Sequence, residues 1–133
     1  MANLKHDYDD IPGTTVFDAD LSRKGYHLNN FYFSLMKQEN RDAFKADQKA
    51  YMSRFRLSEE QRAAVLARDW NEMIRLGGNI FYMLKLSFAD GLSVQQLAGA
   101  MTGMTAQQYA QMLLDGGRSV EGNRSKSEWA HHG

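Results

Sequence analysis

Few side chains in this sequence are suited to chemistry, and their spacing argues against a complete active site. There are four histidines, His6, His27, His131 and His132, and no cysteine. A metal centre of the two-histidine, one-carboxylate kind needs two imidazoles and an acid held around open positions. Glu128 and His131 stand one helical turn apart with His132 adjacent, but in a polar terminal tail poorly suited to preorganising ligands. Asp7, Asp9 and Asp10 cluster near the other end, where a solvated acidic turn is a simpler reading than a cation site. His27 stands alone beside the first helix and reads as a surface or capping group rather than a general base. The absence of cysteine removes thiolate zinc sites and thiol nucleophiles, and no serine sits in a strand–turn–helix elbow. Gly77-Gly78 and Gly116-Gly117 lack the spacing of a phosphate cradle and read as helix stops. Glu59 and Glu60 point to different faces of a helix and suit its first turn, where the helix dipole favours anions.

The elements that would position these groups are helices. Leu28, Phe31 and Leu35 fall at three- and four-residue steps, and Phe44, Tyr51 and Phe55 continue the pattern with one step skipped. Asn40 is placed to cap the helix that carries Phe44. Ser58–Gln61, Ser93–Gln96 and Thr105–Gln108 have capping-box spacing, in which each side chain reaches the other residue's backbone N–H. The first opens a helix with Val65, Leu66, Met73 and Ile74 on a related face, which Asp69 divides so that Trp70 starts a second piece. Asn79 caps a helix through Ile80, Phe81, Leu84 and Phe88, closed by Asp90-Gly91. The next carries Val94, Leu97, Ala98 and Met101, and Gly116-Gly117 ends the last. No strand-length run of alternating β-branched residues appears. The expected fold is all-α, a compact irregular cluster of short helices. Residues 1–17 read as an extended N-terminal arm with a Pro12-Gly13 turn, 18–117 as the helical domain, and 118–133 as a polar C-terminal tail whose one large apolar residue is Trp129.

Composition narrows the function classes. A chain of 133 residues is one domain's worth, with 43% hydrophobic residues and 16 cationic side chains balanced by 16 anionic ones. Zero net charge without a basic run speaks against nucleic-acid binding. The N-terminus lacks the apolar core of a signal peptide, and Ile80–Leu86 is too short to span a bilayer, so a soluble, cytoplasmic protein is expected. There are eight methionines, of which Met83, Met101, Met104 and Met112 gather in the second half near Phe81, Tyr82, Phe88 and Tyr109. Methionine serves cores and binding surfaces alike, and in so small a chain some of this apolar surface is expected to need a partner.

Several strings together carry a family resemblance. They are Asp9-Asp-Ile-Pro-Gly-Thr14, Arg23-Lys-Gly-Tyr26, Ser34-Leu-Met36, Glu39-Asn-Arg41, Ala64-Val-Leu-Ala-Arg-Asp69, Gly77-Gly-Asn79 and Met101 through Arg118. In this order, over roughly residues 9 to 124, the chain resembles the small alpha subunits of protocatechuate 4,5-dioxygenase, of the class II-type extradiol dioxygenase family. The resemblance implies an Fe(II)-dependent enzyme that opens the ring of 3,4-dihydroxybenzoate beside its diol, giving 4-carboxy-2-hydroxymuconate semialdehyde. It also implies that the iron and catalytic histidine belong to a larger beta subunit, which fits the want of ligands here. The alpha chain would then be inactive alone, a partner in a hetero-oligomer, with the catechol at the subunit interface and no nucleic acid or membrane involved.

By the same resemblance, the segment Asp90–Gln95 approaches the bound ring, making Ser93, Val94 and Gln95 the expected lid over the substrate pocket. Some members carry an aromatic residue at the position of Val94; valine cannot stack on a ring and leaves a roomier pocket, unless it is merely a first-turn core residue. Lys85, Arg68 and Arg118 are cations available to a substrate carboxylate, with none assigned. Two alternatives stand beside this reading. One is the equivalent subunit for another catechol such as gallate; the other is a stand-alone helical binding module of the same fold.

Overall fold

Stop and start signals recur about every ten residues, so the chain builds short helices and stabilises them at their ends. The computed structural model describes residues 6–9, 11 and 14–118. Among these it forms α1 (Ala19–Lys24), α2 (Tyr26–Ser34), α3 (Gln38–Ala46), α4 (Gln48–Met52), α5 (Glu59–Ala67), α6 (Trp70–Arg75), α7 (Ile80–Ala89), α8 (Val94–Thr102) and α9 (Ala106–Leu114). No strand occurs among the described residues, and no helix is long and apolar enough to cross a membrane. The fold is all-α, as the sequence leads one to expect. All three capping boxes form, opening α5, α8 and α9. Asp18, Asp47, Asp69 and Asn79 cap α1, α4, α6 and α7 with single side-chain acceptors. Such caps satisfy backbone donors that a helix end leaves orphaned, each worth about 1 kcal/mol.

The core is centred on α2. Leu28, Phe31, Tyr32 and Leu35 are buried, and the Phe31 ring meets Phe44, Phe55 and Tyr51 at centroid distances of 5.4, 5.7 and 6.1 Å. Val65, Met73, Met83, Leu86 and Leu97 complete the interior from α5 through α8. Burying each such side chain contributes roughly 1.5–3 kcal/mol.

Several local expectations need correction. Asn40 does not start a helix; α3 begins before it, and its amide donates to the Ser34 carbonyl at 2.8 Å, closing the end of α2 instead. Phe44, Tyr51 and Phe55 do not share one helix. Asp47 is extended at φ −157°, separating α3 from α4, and Phe55 lies beyond both. The three rings converge through the turn rather than along a stripe. Leu66 is exposed while Val65 and Met73 are buried. The largest reversal concerns α7, whose buried side is Met83, Leu86, Ser87 and Ala89, whereas Phe81 is 73% and Phe88 50% exposed. This helix is apolar almost all round, so periodicity cannot choose its inner face, and packing against α2 does. Of the methionines, Met52, Met73 and Met83 are core residues, Met101, Met104 and Met112 are half-buried, and Met36 is exposed; the outward side of α7 is mainly aromatic, with Phe81, Tyr82 and Phe88. Asp10, Pro12, Gly13, Glu128, Trp129, His131 and His132 lie outside the described residues.

Two helix corners touch backbone to backbone. A Cβ added to Gly25, between α1 and α2, would stand 1.8 Å from the Gly77 carbonyl oxygen, and Gly77 itself has φ +101°. Two amide side chains staple this contact. The Asn29 amide donates to the Gly77 carbonyl at 2.9 Å while its oxygen accepts the Asn79 N–H at 2.7 Å. The buried Gln61 donates to the Lys24 carbonyl at 3.2 Å and the Leu76 carbonyl at 3.1 Å, and its oxygen accepts Ser58 N–H at 3.0 Å. Gly25→Ala is expected to force the corners apart and cost about 3 kcal/mol or more, read as a lowered denaturant midpoint. Gln61→Leu keeps the bulk but strands two carbonyls and a capping donor. It should cost roughly 2–3 kcal/mol, and a thermal midpoint equal to the parent's would show that these bonds do not matter.

Candidate functional site: the α7–α8 corner and its apolar flank

The expected lid is the corner between α7 and α8. Gly91 takes φ +79°, a left-handed conformation that lets Leu92 N–H return to the Ser87 carbonyl at 2.9 Å. Ser93 then opens α8: its hydroxyl accepts Gln96 N–H at 3.1 Å, and its own N–H donates to the Gln96 side chain at 2.7 Å. Ser93, Val94 and Gln95 are all exposed, Val94 by 57%. Val94 is therefore not a core residue of the first turn, and a larger side chain there meets no packing penalty within this chain. Leu97, three residues on, is the one that anchors α8 in the core.

A charged brace holds the corner. Arg68 donates to Asp90 through Nε at 2.6 Å and Nη2 at 3.1 Å, a two-pronged pairing of partly buried groups. Its remaining nitrogen donates to the Val65 carbonyl, and its guanidinium lies 5.4 Å from the Phe44 ring centroid. Arg68 is itself left-handed at φ 53°, the turn that lets Asp69 start α6. The guanidinium is thus committed to the scaffold and is not free for a ligand carboxylate.

The other cations differ in setting. Lys85, on α7, borders a shallow depression of about 400 Å³ together with Leu35, Met36, Arg41 and Phe88. Arg41 is engaged, donating to the Leu35 and Met36 carbonyls at 2.9 and 2.8 Å and to Gln38 at 2.7 Å. Lys85 has no hydrogen-bond or ion-pair partner among the described residues. Arg118 is exposed at the end of the described chain. Sequence reasoning weighed these three cations equally; only the fold separates the strut from the free ammonium.

His6, Asp18 and Asp20 are the one group of three donors that converge among the described residues. His6 Nε2 lies 3.2 Å from Asp20 and 3.6 Å from Asp18. Asp18 is already occupied, accepting Tyr8 O–H at 2.6 Å and the Leu21 N–H that caps α1 at 2.8 Å. The Tyr8 hydrogen bond holds the Asp18 carboxyl below its ordinary range, and that carboxylate in turn pushes the Tyr8 phenol up to about 12. These contacts fix the arm against α1. One imidazole with two acids does not fit a two-histidine, one-carboxylate iron site, and the other described histidine, His27, sits edge-on to Tyr26 instead. The acidic cluster that reads as a solvated turn, Asp7, Asp9 and Asp10, does not supply these donors; the convergence is made by His6 with Asp18 and Asp20 further along the chain. Asp9 instead accepts the His6 backbone N–H at 2.7 Å.

The exposed corner, its brace and the apolar flank lie within a stretch that other proteins share. The family described as aromatic-ring-opening dioxygenase LigAB, LigA subunit, matches residues 28–114, from α2 to the end of α9. Gallate dioxygenase of Pseudomonas putida is 29% identical over 99 residues, which cover 74% of this chain. The matched region makes up 29% of that relative's length. The match to the family spans the core, the Gly77 corner and the α7–α8 turn, and this chain belongs to the LigA-subunit family of LigAB aromatic-ring-opening dioxygenases.

Proposed function

We propose that this chain is the alpha subunit of an Fe(II)-dependent extradiol dioxygenase, lying over an active site carried by a larger beta subunit, with protocatechuate as the substrate. The observation that carries the reading is membership of the LigA-subunit family over residues 28–114. In this reading the iron is the beta subunit's, and this chain acts by position. Ser93, Val94 and Gln95 close over the bound catechol, exclude water and limit the orientations open to its ring. Restricting orientation and excluding water raise the rate of attack on one carbon and suppress side reactions. The brace from Arg68 to Asp90 keeps that corner in place. The enzyme is expected in the cytoplasm and acts in the breakdown of aromatic compounds.

A second reading, gallate as the substrate, is favoured by the relative from Pseudomonas putida, which is named a gallate dioxygenase. Gallate carries one more ring hydroxyl than protocatechuate, and the short Val94 side chain leaves room beside the ring.

Reconstitution tests the main reading. Purified alone, neither this chain nor a beta-type chain with Fe(II) should consume oxygen with protocatechuate, whereas the mixture should. A beta chain equally active alone and unable to bind this one would leave a helical binding module as the better account. Val94→Phe should change stability by less than about 0.5 kcal/mol, because the side chain faces outward. It should instead shift relative kcat/KM among protocatechuate, gallate and a methylated gallate; unchanged ratios across all three would remove Val94 from the pocket.

A further inference from the structure

We infer that the aromatic flank formed by the outer faces of α2 and α7 is the principal docking surface for the larger catalytic chain, with the Val94 corner at its edge. The inference rests on the proposed function for the existence of that partner, and adds where the partner binds. The flank is continuous. Phe33 of α2 meets Tyr82 of α7 edge-on at a centroid distance of 5.9 Å, and Met36, Lys85 and Phe88 border one depression. Phe81, Lys85 and Phe88 stand at four- and three-residue steps along the outside of α7. Phe33, Met36, Phe81, Tyr82 and Phe88 together expose on the order of 500 Å² of side chain. That suffices for the centre of an interface burying about 800 Å² per partner, the remainder being a polar rim.

Three observations favour the catalytic chain as the occupant. The family to which this chain belongs is defined as one subunit of LigAB, and in the Pseudomonas putida relative the matching region is only 29% of a longer chain. The flank runs into the proposed lid, because Phe88 lies in the last turn of α7 and α8 opens at Val94. A partner seated on α7 would therefore reach the corner without leaving the surface. The charge is also one-sided: α7 carries Lys85 as its single charged residue, and α2 has neither acid nor lysine nor arginine. The partner surface should be apolar and aromatic, with a carboxylate placed to meet the Lys85 ammonium.

The test compares affinities for a beta-type catalytic chain by titration, using the full chain and two double variants. Phe81→Ser with Phe88→Ser strips the flank. Leu113→Ser with Leu114→Ser strips comparably exposed apolar side chains from α9, Leu114 being 82% exposed. Circular dichroism and thermal midpoints establish that all three proteins are folded, as expected when only exposed side chains change. The flank variant should bind at least ~30-fold more weakly, as loss of aromatic anchors does, and the α9 variant within about threefold of the parent. Lys85→Glu in the otherwise unaltered chain should weaken binding and make it less sensitive to low salt. If the parent binds but the flank variant binds equally well, the docking surface is wrong while the subunit reading survives. If the parent itself does not bind, the subunit reading fails first. Sedimentation of the parent alone completes the test: a dimer abolished by the flank substitutions, with beta binding unchanged, would assign the flank to self-association and overturn the inference.

Discussion

The contact on which the rest of this structure depends is the meeting of two helix corners at Gly25 and Gly77. Helices of five to ten residues are not stable by themselves, because nucleation costs more than so few hydrogen bonds return. Their order must come from tertiary contacts, and the corner contact is one of the closest of them. Asn29 and Gln61 bridge backbone groups 15 to 50 positions away, and each satisfies buried polar atoms that would otherwise be stranded. With those corners fixed, α2 can lie along α7, and the aromatic cluster around Phe31 closes the other side.

That placement decides which face of α7 is hidden. Met83, Leu86 and Ser87 turn inward, leaving Phe81 and Phe88 outside. The same geometry sorts the cations. Arg68 is drawn into a pairing with Asp90 across 22 residues, where it ties the α5–α6 turn to the end of α7. Lys85 remains at the surface beside Met36 and Phe88. An arginine fork suits the strut, since its planar donors reach two carboxylate oxygens and a carbonyl at once. A lysine would hold a single point and leave the corner freer to move.

Most of what was legible in the sequence was local. The capping boxes at Ser58, Ser93 and Thr105, the break at Asp69 and the stops at Gly77, Gly91 and Gly116 all depend on residues within a few positions of one another. Faces were legible where polar residues interrupt the pattern, as at Leu28, Phe31 and Leu35. They were not legible in α7, where nearly every position is apolar, nor at Asn40, whose amide serves the preceding helix rather than its own. Glutamine at position 61 announced a capping box; nothing local announced that its amide would also join two distant corners. Val94 was placed correctly at the start of a helix, while its exposure is a consequence of where α7 points before the turn.

Under the proposed function, a subunit that contributes position rather than reacting groups has to satisfy two demands that pull against each other. Its corner must be stiff enough to restrict a substrate, which the caps, the Arg68 brace and the glycine contact provide. Under the proposed function, its outer surface must also seat the catalytic chain. Under the proposed function, the aromatic outer face of α7 is therefore a requirement of docking. It is tolerated because the inner face of the same helix already secures the fold.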